Sequence, residues 1–232
     1  MAETSLVQSF ENRKQLRLES GLADTMSSRA FNLALCGALL WGLLLNAVMV
    51  YYFCGPLQAF AAQLKWYGML IVYFVPTLAG IIMSARSSNS VVSFIGYNLV
   101  VLPIGLLLAL IVPGLSAGIV VKAMGLTAMV TFTMMMLAVV NPRFFLGLGR
   151  TLFVALLIGL VAELVATFLL GYRGGLFDWL FVILFSGYIG YDVAKSQAYP
   201  KTLDNAVDCA LDIYLDVINL FIRILSIVAR RD

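Results

Sequence analysis

Four aspartates recur at every fourth position of one strongly apolar segment, LDNAVDCALDIYLDVINLFIRIL at residues 203–225. They are Asp204, Asp208, Asp212 and Asp216. Residues four apart advance by about 40° around an α-helix, so the carboxylates form a slowly turning stripe about 18 Å long. Carboxylates that meet away from water cannot all ionise cheaply, and carboxylate oxygens are the ligands that calcium prefers. The stripe therefore indicates a site for protons or for a hard cation.

The composition indicates where this stripe must lie. The chain has 232 residues, of which 62% are hydrophobic and 12% are charged. Soluble domains carry about 25% charged residues, so this chain is predicted to be an integral membrane protein. The net charge of +3 predicts no nucleic-acid partner, and the three cysteines lack metal spacing. Because the chain has no histidine, any response to pH must come from carboxylates.

The apolar runs predict an all-helical fold with seven membrane spans in a single domain, residues 30–232, after a polar cytosolic tail, residues 1–29. A span needs about 20 mostly apolar residues. The seventh span is less apolar than the others, so six spans plus a re-entrant segment remain an alternative. In the sixth span, Gly187 and Gly190 predict close helix contact. The predicted spans cover 30–53, 66–85, 91–112, 117–140, 145–170, 176–198 and 204–228.

The distribution of basic residues predicts the orientation. With the N-terminus in the cytosol, more of the lysines and arginines between the spans fall on the cytosolic side than on the other. The seven-span count has one weak point, since it places Arg230 and Arg231 on the outer side. The sequence thus predicts an integral membrane protein with a cytosolic N-terminus.

Ionisable residues at membrane depth are expensive and each calls for an explanation. Asp192, near the end of the sixth span, and Asp216 are equally distant from residue 204. An antiparallel hairpin that turns near that residue brings both carboxylates to a similar depth. Arg86 ends the second span on the same side of the membrane. We therefore expect one neighbourhood of two carboxyls that titrate as a unit and an arginine that can switch partners.

Other acidic residues leave alternatives open. Asp212 is either functional or hydrogen-bonded within packed helices. Glu163, past the middle of the fifth span, either lines a vestibule or pairs with Lys122. Asp204 and Asp208 are predicted to lie at a solvated helix start, where they would serve the helix rather than a site.

Two segments carry a family resemblance: SGYIGYDVAKSQ at residues 186–197 and DNAVDCALDIYLDVINLFIRILSI at residues 204–227. An acidic residue ends the sixth span, a short basic loop follows, and then the pattern ALxxYLDxINLF. This text resembles the C-terminal signature of the Bax inhibitor-1 family, also called the transmembrane Bax inhibitor motif family. Looser likeness extends back to about residue 30, through SARSSNS at 84–90 and GLTAMVTFTMMMLA at 125–138.

The resemblance implies seven helices with the last enclosed by the other six. It also implies a calcium leak channel or transporter that is controlled by pH, with no cofactor and no enzymatic activity. Asp192 and Asp216 would be the proton sensor and the calcium contacts, and Arg86 would latch the closed state. Glu163 and Asp212 are candidates for the ion pathway. The short termini resemble bacterial members, which implies the bacterial cytoplasmic membrane.

Two other functions compete with this one. In a calcium/proton antiporter the aspartates would carry protons through a transport cycle. A regulatory protein would bind a membrane protease or another membrane-protein partner, and the polar tail at residues 1–29 would be the binding segment. An intramembrane enzyme is not favoured, since the chain has no HExxH motif and GYDV is only a faint echo of GxGD.

Overall fold

The computed structural model describes residues 25–171 and 175–231, and every regular element in these ranges is helical. The all-helical class is therefore confirmed. The proposed tail lies mostly outside the described residues. The helices are α1 (Ser28–Gln63), α2 (Trp66–Arg86), α3 (Ser90–Ile111), α4 (Ala117–Val140), α5 (Pro142–Gly147), α6 (Gly149–Phe168), α7 (Leu176–Ala198) and α8 (Leu203–Ala229), and a 3₁₀ turn (Val112–Gly114) follows α3.

Six of these helices, α1 to α4, α6 and α7, are long and apolar enough to cross a membrane. This establishes the chain as an integral membrane protein. Helix α8, the predicted seventh span, is 27 residues long but carries the aspartate stripe, and it does not belong to this set. The count of seven spans and the enclosure of the last one therefore stay predictions.

The helix bounds match the predicted spans closely, with two corrections. The first span was predicted to end at residue 53, but α1 continues through Pro56 to Gln63. Because the uncharged run continues to residue 64, loss of one backbone donor at a proline does not end the helix. The predicted fifth span is divided, since the short α5 precedes α6, which begins at Gly149.

The helices form two compact units. The first comprises the described residues up to Gly114 together with Tyr199–Leu211. Within it, α2 packs on α3 at two glycines, and a Cβ on Gly96 would lie 2.7 Å from the Gly80 carbonyl oxygen. The buried Tyr97 hydroxyl of α3 donates to the Ala38 carbonyl oxygen of α1 at 2.9 Å. Small residues thus let these helices approach, and a buried hydroxyl joins α3 to α1.

The second unit comprises Leu115–Ala198 and the residues from Asp212 onward. Here α7 packs on the segment that holds α5 and the start of α6. A Cβ on Gly190 would overlap the Phe145 ring, and one on Gly187 would lie 2.9 Å from a Leu152 methyl group. The prediction that these two glycines allow close helix contact is confirmed. From Asp212 onward, α8 belongs to this unit, which therefore includes Asp212 and Asp216.

Candidate ion and proton site

Four ionisable side chains meet in the second unit, where the end of α7 faces α8. The Lys195 ammonium donates to Asp192 Oδ1 at 2.7 Å and to Asp212 Oδ2 at 3.0 Å. The carboxyl groups of Asp192 and Asp216 lie within hydrogen-bonding reach of each other. We call these residues, Asp192, Lys195, Asp212 and Asp216, the acidic cluster. It contains three carboxyl groups and a single ammonium.

Helical spacing explains how the sequence builds this cluster. Asp192 and Lys195 are three residues apart and share one face of α7. Asp212 and Asp216 are four apart and share a face of α8. The two helices lie on either side of the turn at residues 199–202, and the end of α7 faces the part of α8 that holds Asp212 and Asp216. The structure thus brings together Asp192 and Asp216, as predicted, and adds Lys195 and Asp212.

Two of the carboxyl groups in the acidic cluster are buried. Asp192 is 6% exposed and Asp216 is 7% exposed. Among the described residues, Asp216 Oδ2 has no hydrogen-bond partner. A buried carboxylate oxygen without a donor is unfavourable, whereas two adjacent carboxyls can hold one proton between them. The arrangement therefore suits a group that takes up and releases protons.

Aromatic rings of α7 border the acidic cluster. The Lys195 ammonium lies 5.3 Å from the centre of the Tyr191 ring. The Tyr188 phenol is close enough to Asp192 and Asp216 to interact with both electrostatically. The Tyr191 ring provides a π face that can hold an ammonium group.

The structure places Arg86 at the last residue of α2, in the first unit, with an exposed side chain. Asp192 and Asp216 belong to the second unit. The role of Arg86 as a latch stays a prediction.

Glu163 has a partner that the sequence analysis did not foresee. Its carboxylate accepts hydrogen bonds from Nη1 and Nη2 of Arg223 on α8, with Nη2 to Oε2 at 2.8 Å. The alternative pairing with Lys122 is therefore wrong. The planar fork of an arginine matches a carboxylate in a bidentate pair, which a lysine cannot do. The Arg223 guanidinium carbon also lies 4.3 Å from the centre of the Phe181 ring.

A second carboxylate completes this group. Asp178, in the first turn of α7, is 4% exposed. It accepts from Arg223 Nη1 at 3.1 Å, from Ser226 Oγ at 2.9 Å and from the Arg230 guanidinium. We call Glu163, Asp178, Arg223 and Arg230 the balanced cluster, because two carboxylates meet two guanidinium groups.

The balanced cluster also accounts for the basic C-terminal residues that weakened the seven-span count. Arg230 binds Asp178, and the Arg231 guanidinium carbon lies 5.5 Å from the centre of the Trp179 ring. Both arginines therefore have partners at the start of α7.

The first half of the aspartate stripe has a different environment from the predicted one. Asp204 and Asp208 are buried rather than solvated, and Asp208 is only 1% exposed. Ser93 Oγ of α3 donates to Asp204 Oδ1 at 2.7 Å, and Ser84 Oγ of α2 donates to Asp208. The prediction of a solvated helix start was wrong, because serines of two neighbouring helices supply the donors that water would have supplied.

Sequence reasoning missed Lys195 and Asp178. Lys195 had a usable signal, since it follows Asp192 by three residues and lies about as far from residue 204 as Asp212 does. Asp178 resembled an ordinary acidic residue of a first helical turn. Within residues 25–171 and 175–231, no group of three or more histidine, cysteine, aspartate or glutamate side chains is arranged to hold a metal ion.

The helices and the buried ionisable groups define a polytopic helical membrane protein with charged clusters between its helices. A family model described as "Inhibitor of apoptosis-promoting Bax1" matches residues 28–232. The chain belongs to this family, the Bax inhibitor-1 family, and the resemblance inferred from residues 186–227 is confirmed.

Similar proteins occur in two bacterial species. An uncharacterized protein of Helicobacter pylori strain 26695 is 29% identical over 204 residues, which cover 84% of this chain and 79% of that protein. Its counterpart in strain J99 is 30% identical over the same length. An uncharacterized membrane protein of Streptococcus pyogenes serotype M3 is 33% identical over 135 residues, which cover 55% of this chain and 59% of that protein.

Proposed function

We propose that this protein is a pH-sensitive leak channel or transporter for calcium or a similar hard cation. Asp192 and Asp216 sense protons, and Arg86 latches the closed state. The main support is the pair of buried carboxyls on α7 and α8, within hydrogen-bonding reach, with Asp216 Oδ2 lacking a partner among the described residues.

The chemistry of this pair supports proton sensing. When both carboxyls are ionised they repel each other in surroundings that screen charge poorly, and a shared proton removes that repulsion. The charged and titratable neighbours are Lys195 and Asp212, with the phenols of Tyr188 and Tyr191. Protonation therefore changes the net charge of a site that spans two helices, and the helices can respond by moving apart or together.

The same oxygens suit a hard divalent cation. Calcium takes six to eight oxygen ligands, and three carboxyl groups provide only part of that shell. A partial shell suits passage better than storage, because an ion that binds too tightly does not leave. Calcium is thus the substrate of the proposed activity and not a resident cofactor.

Calcium flux into proteoliposomes tests the proton sensor. We expect Asp192→Asn and Asp216→Asn each to abolish the pH dependence of flux. Asp204→Asn is the matched control, because it makes the same change on α8 outside the acidic cluster and its amide oxygen can still accept from Ser93. If both variants retain wild-type flux at every pH, the proposal is wrong.

The latch is tested separately. We expect Arg86→Ala to raise flux at the pH where the wild-type protein is least active, because the closed state loses a stabilising charge. Arg143→Ala removes another exposed arginine, at the start of α5, and should leave flux unchanged. Equal flux in wild-type protein and Arg86→Ala would remove the latch from the proposal and leave the sensor.

The proton-sharing pair also supports a calcium/proton antiporter. A carboxyl pair that binds one proton can exchange it for a cation in each cycle. Proton efflux in a fixed ratio to calcium uptake favours the antiporter, and calcium flux without coupled proton movement favours the leak channel. Binding of a membrane-protein partner through residues 1–29 stays a prediction, since most of that tail lies outside the described residues.

A further inference from the structure

We propose that Lys195 is a tethered competitor for the transported cation: its ammonium group bridges Asp192 and Asp212, where a divalent cation would bind. This inference rests on the proposed function and adds a residue that sets the affinity of the same site. The ammonium lies 2.7 Å from Asp192 and 3.0 Å from Asp212, so it joins carboxylates of two helices as a bound cation would.

The charge count of the acidic cluster supports a competitive role. With Lys195 in place, its ammonium neutralises part of the charge of the three carboxyl groups. A cation that displaces it gains the oxygens of Asp192 and Asp212 and can also use Asp216 Oδ2, which lacks a partner in the described part of the chain.

The Lys195 side chain can move away from the two carboxylates. Its side chain is 20% exposed and ends a flexible four-carbon stem. The ammonium already lies 5.3 Å from the centre of the Tyr191 ring, and this cation–π contact can remain when another ion takes the carboxylates. Displacement of the ammonium therefore does not require it to enter an apolar space alone.

Calcium binding to the purified full-length protein in detergent tests this role, with calcium alone as the probe. We expect Lys195→Gln to bind calcium at least about tenfold more tightly than wild type, an effect of roughly 1.4 kcal/mol. Lys195→Arg keeps the positive charge and should bind calcium as weakly as the wild-type protein does. Lys65→Gln, which removes an exposed lysine at the start of α2, is the matched control and should leave binding unchanged.

The sign of the effect separates competition from a structural role. If Lys195 only holds α7 and α8 together, its loss weakens or does not change calcium binding, and that result would overturn the inference. Lys195→Met keeps the apolar stem and repeats the test if the glutamine variant does not fold. If Asp216→Asn alters flux but neither Lys195→Gln nor Lys195→Met tightens calcium binding, the inference fails and the proposed function stands. If the wild-type protein, Lys195→Gln and Lys195→Met all bind no calcium and carry no flux, the inference and the proposed function both fail.

Discussion

The acidic cluster lies on α7 and α8, and the balanced cluster joins these two helices to Glu163 of α6, yet the two clusters accommodate charge in opposite ways. In the balanced cluster two carboxylates meet two guanidinium groups, and Asp178 alone accepts from three side chains. In the acidic cluster one ammonium bridges two of the three carboxyl groups, and Asp216 Oδ2 has no donor among the described residues. Buried charges that are fully paired stabilise a structure, whereas carboxyl groups in excess of their cationic partners can bind protons or cations.

This comparison predicts that damage to the balanced cluster lowers stability more than it alters ion flux. We expect the largest effect from Asp178→Ala, which leaves Arg223 and Arg230 without a shared partner. Breaking a buried ion pair costs about 3 kcal/mol or more. Thermal unfolding in detergent measures the loss, and calcium flux per folded molecule should stay near the wild-type level. An Asp178→Ala protein as stable as wild type would contradict the role given to this cluster.

Arg223→Lys gives a smaller effect on the same cluster. The lysine keeps the positive charge but cannot make the bidentate pair with Glu163 and also reach Asp178. We expect a loss of about 1.5 kcal/mol, the value of a hydrogen bond to a charged group. The unfolding midpoint should therefore fall between those of wild type and Asp178→Ala. An unfolding midpoint as low as that of Asp178→Ala would show that the positive charge kept in Arg223→Lys does not stabilise the balanced cluster.

Asp216→Asn should leave stability within about 1 kcal/mol of wild type, because it removes a buried carboxyl that makes no ion pair in the described part of the chain rather than an ion-paired one. The matched comparison is Asp178→Asn, the same chemical change in the balanced cluster, which should destabilise the protein clearly. Thermal unfolding of the two variants side by side makes the measurement. Equal losses would mean that the two clusters do not differ in the way proposed here.

The smallest effect concerns Lys201, in the turn between α7 and α8, whose ammonium lies 4.5 Å from the centre of the Phe31 ring. Burial lowers the pKa of Lys201 below its ordinary value of 10.5. The folded protein therefore loses this proton at a lower pH than the unfolded chain does, so stability rises as pH increases through that window toward 10.5. Lys201→Met should flatten this rise in unfolding midpoint, and an unchanged slope would contradict the assignment.

Local patterns in the chain predicted much of this protein. The low charge content requires a membrane, and mostly apolar runs of about 20 residues place the spans, as at α4 and α7, whose bounds agree with the prediction. The meeting of Asp192 and Asp216 was predicted from their equal distance to residue 204, although the turn itself lies at residues 199–202. These features depend on composition, on helical period and on chain connectivity, which are all written locally.

The partners of each buried charge were decided only by the tertiary structure. Serines of α2 and α3 donate to Asp208 and Asp204. Arg223 rather than Lys122 binds Glu163, and Lys195 bridges two carboxylates. A helical pattern shows that a polar face needs partners, but which neighbour supplies them depends on how each helix is rotated and how closely it approaches. Contacts between distant segments, such as Gly190 against Phe145, set that rotation, and their partners cannot be read from either segment alone.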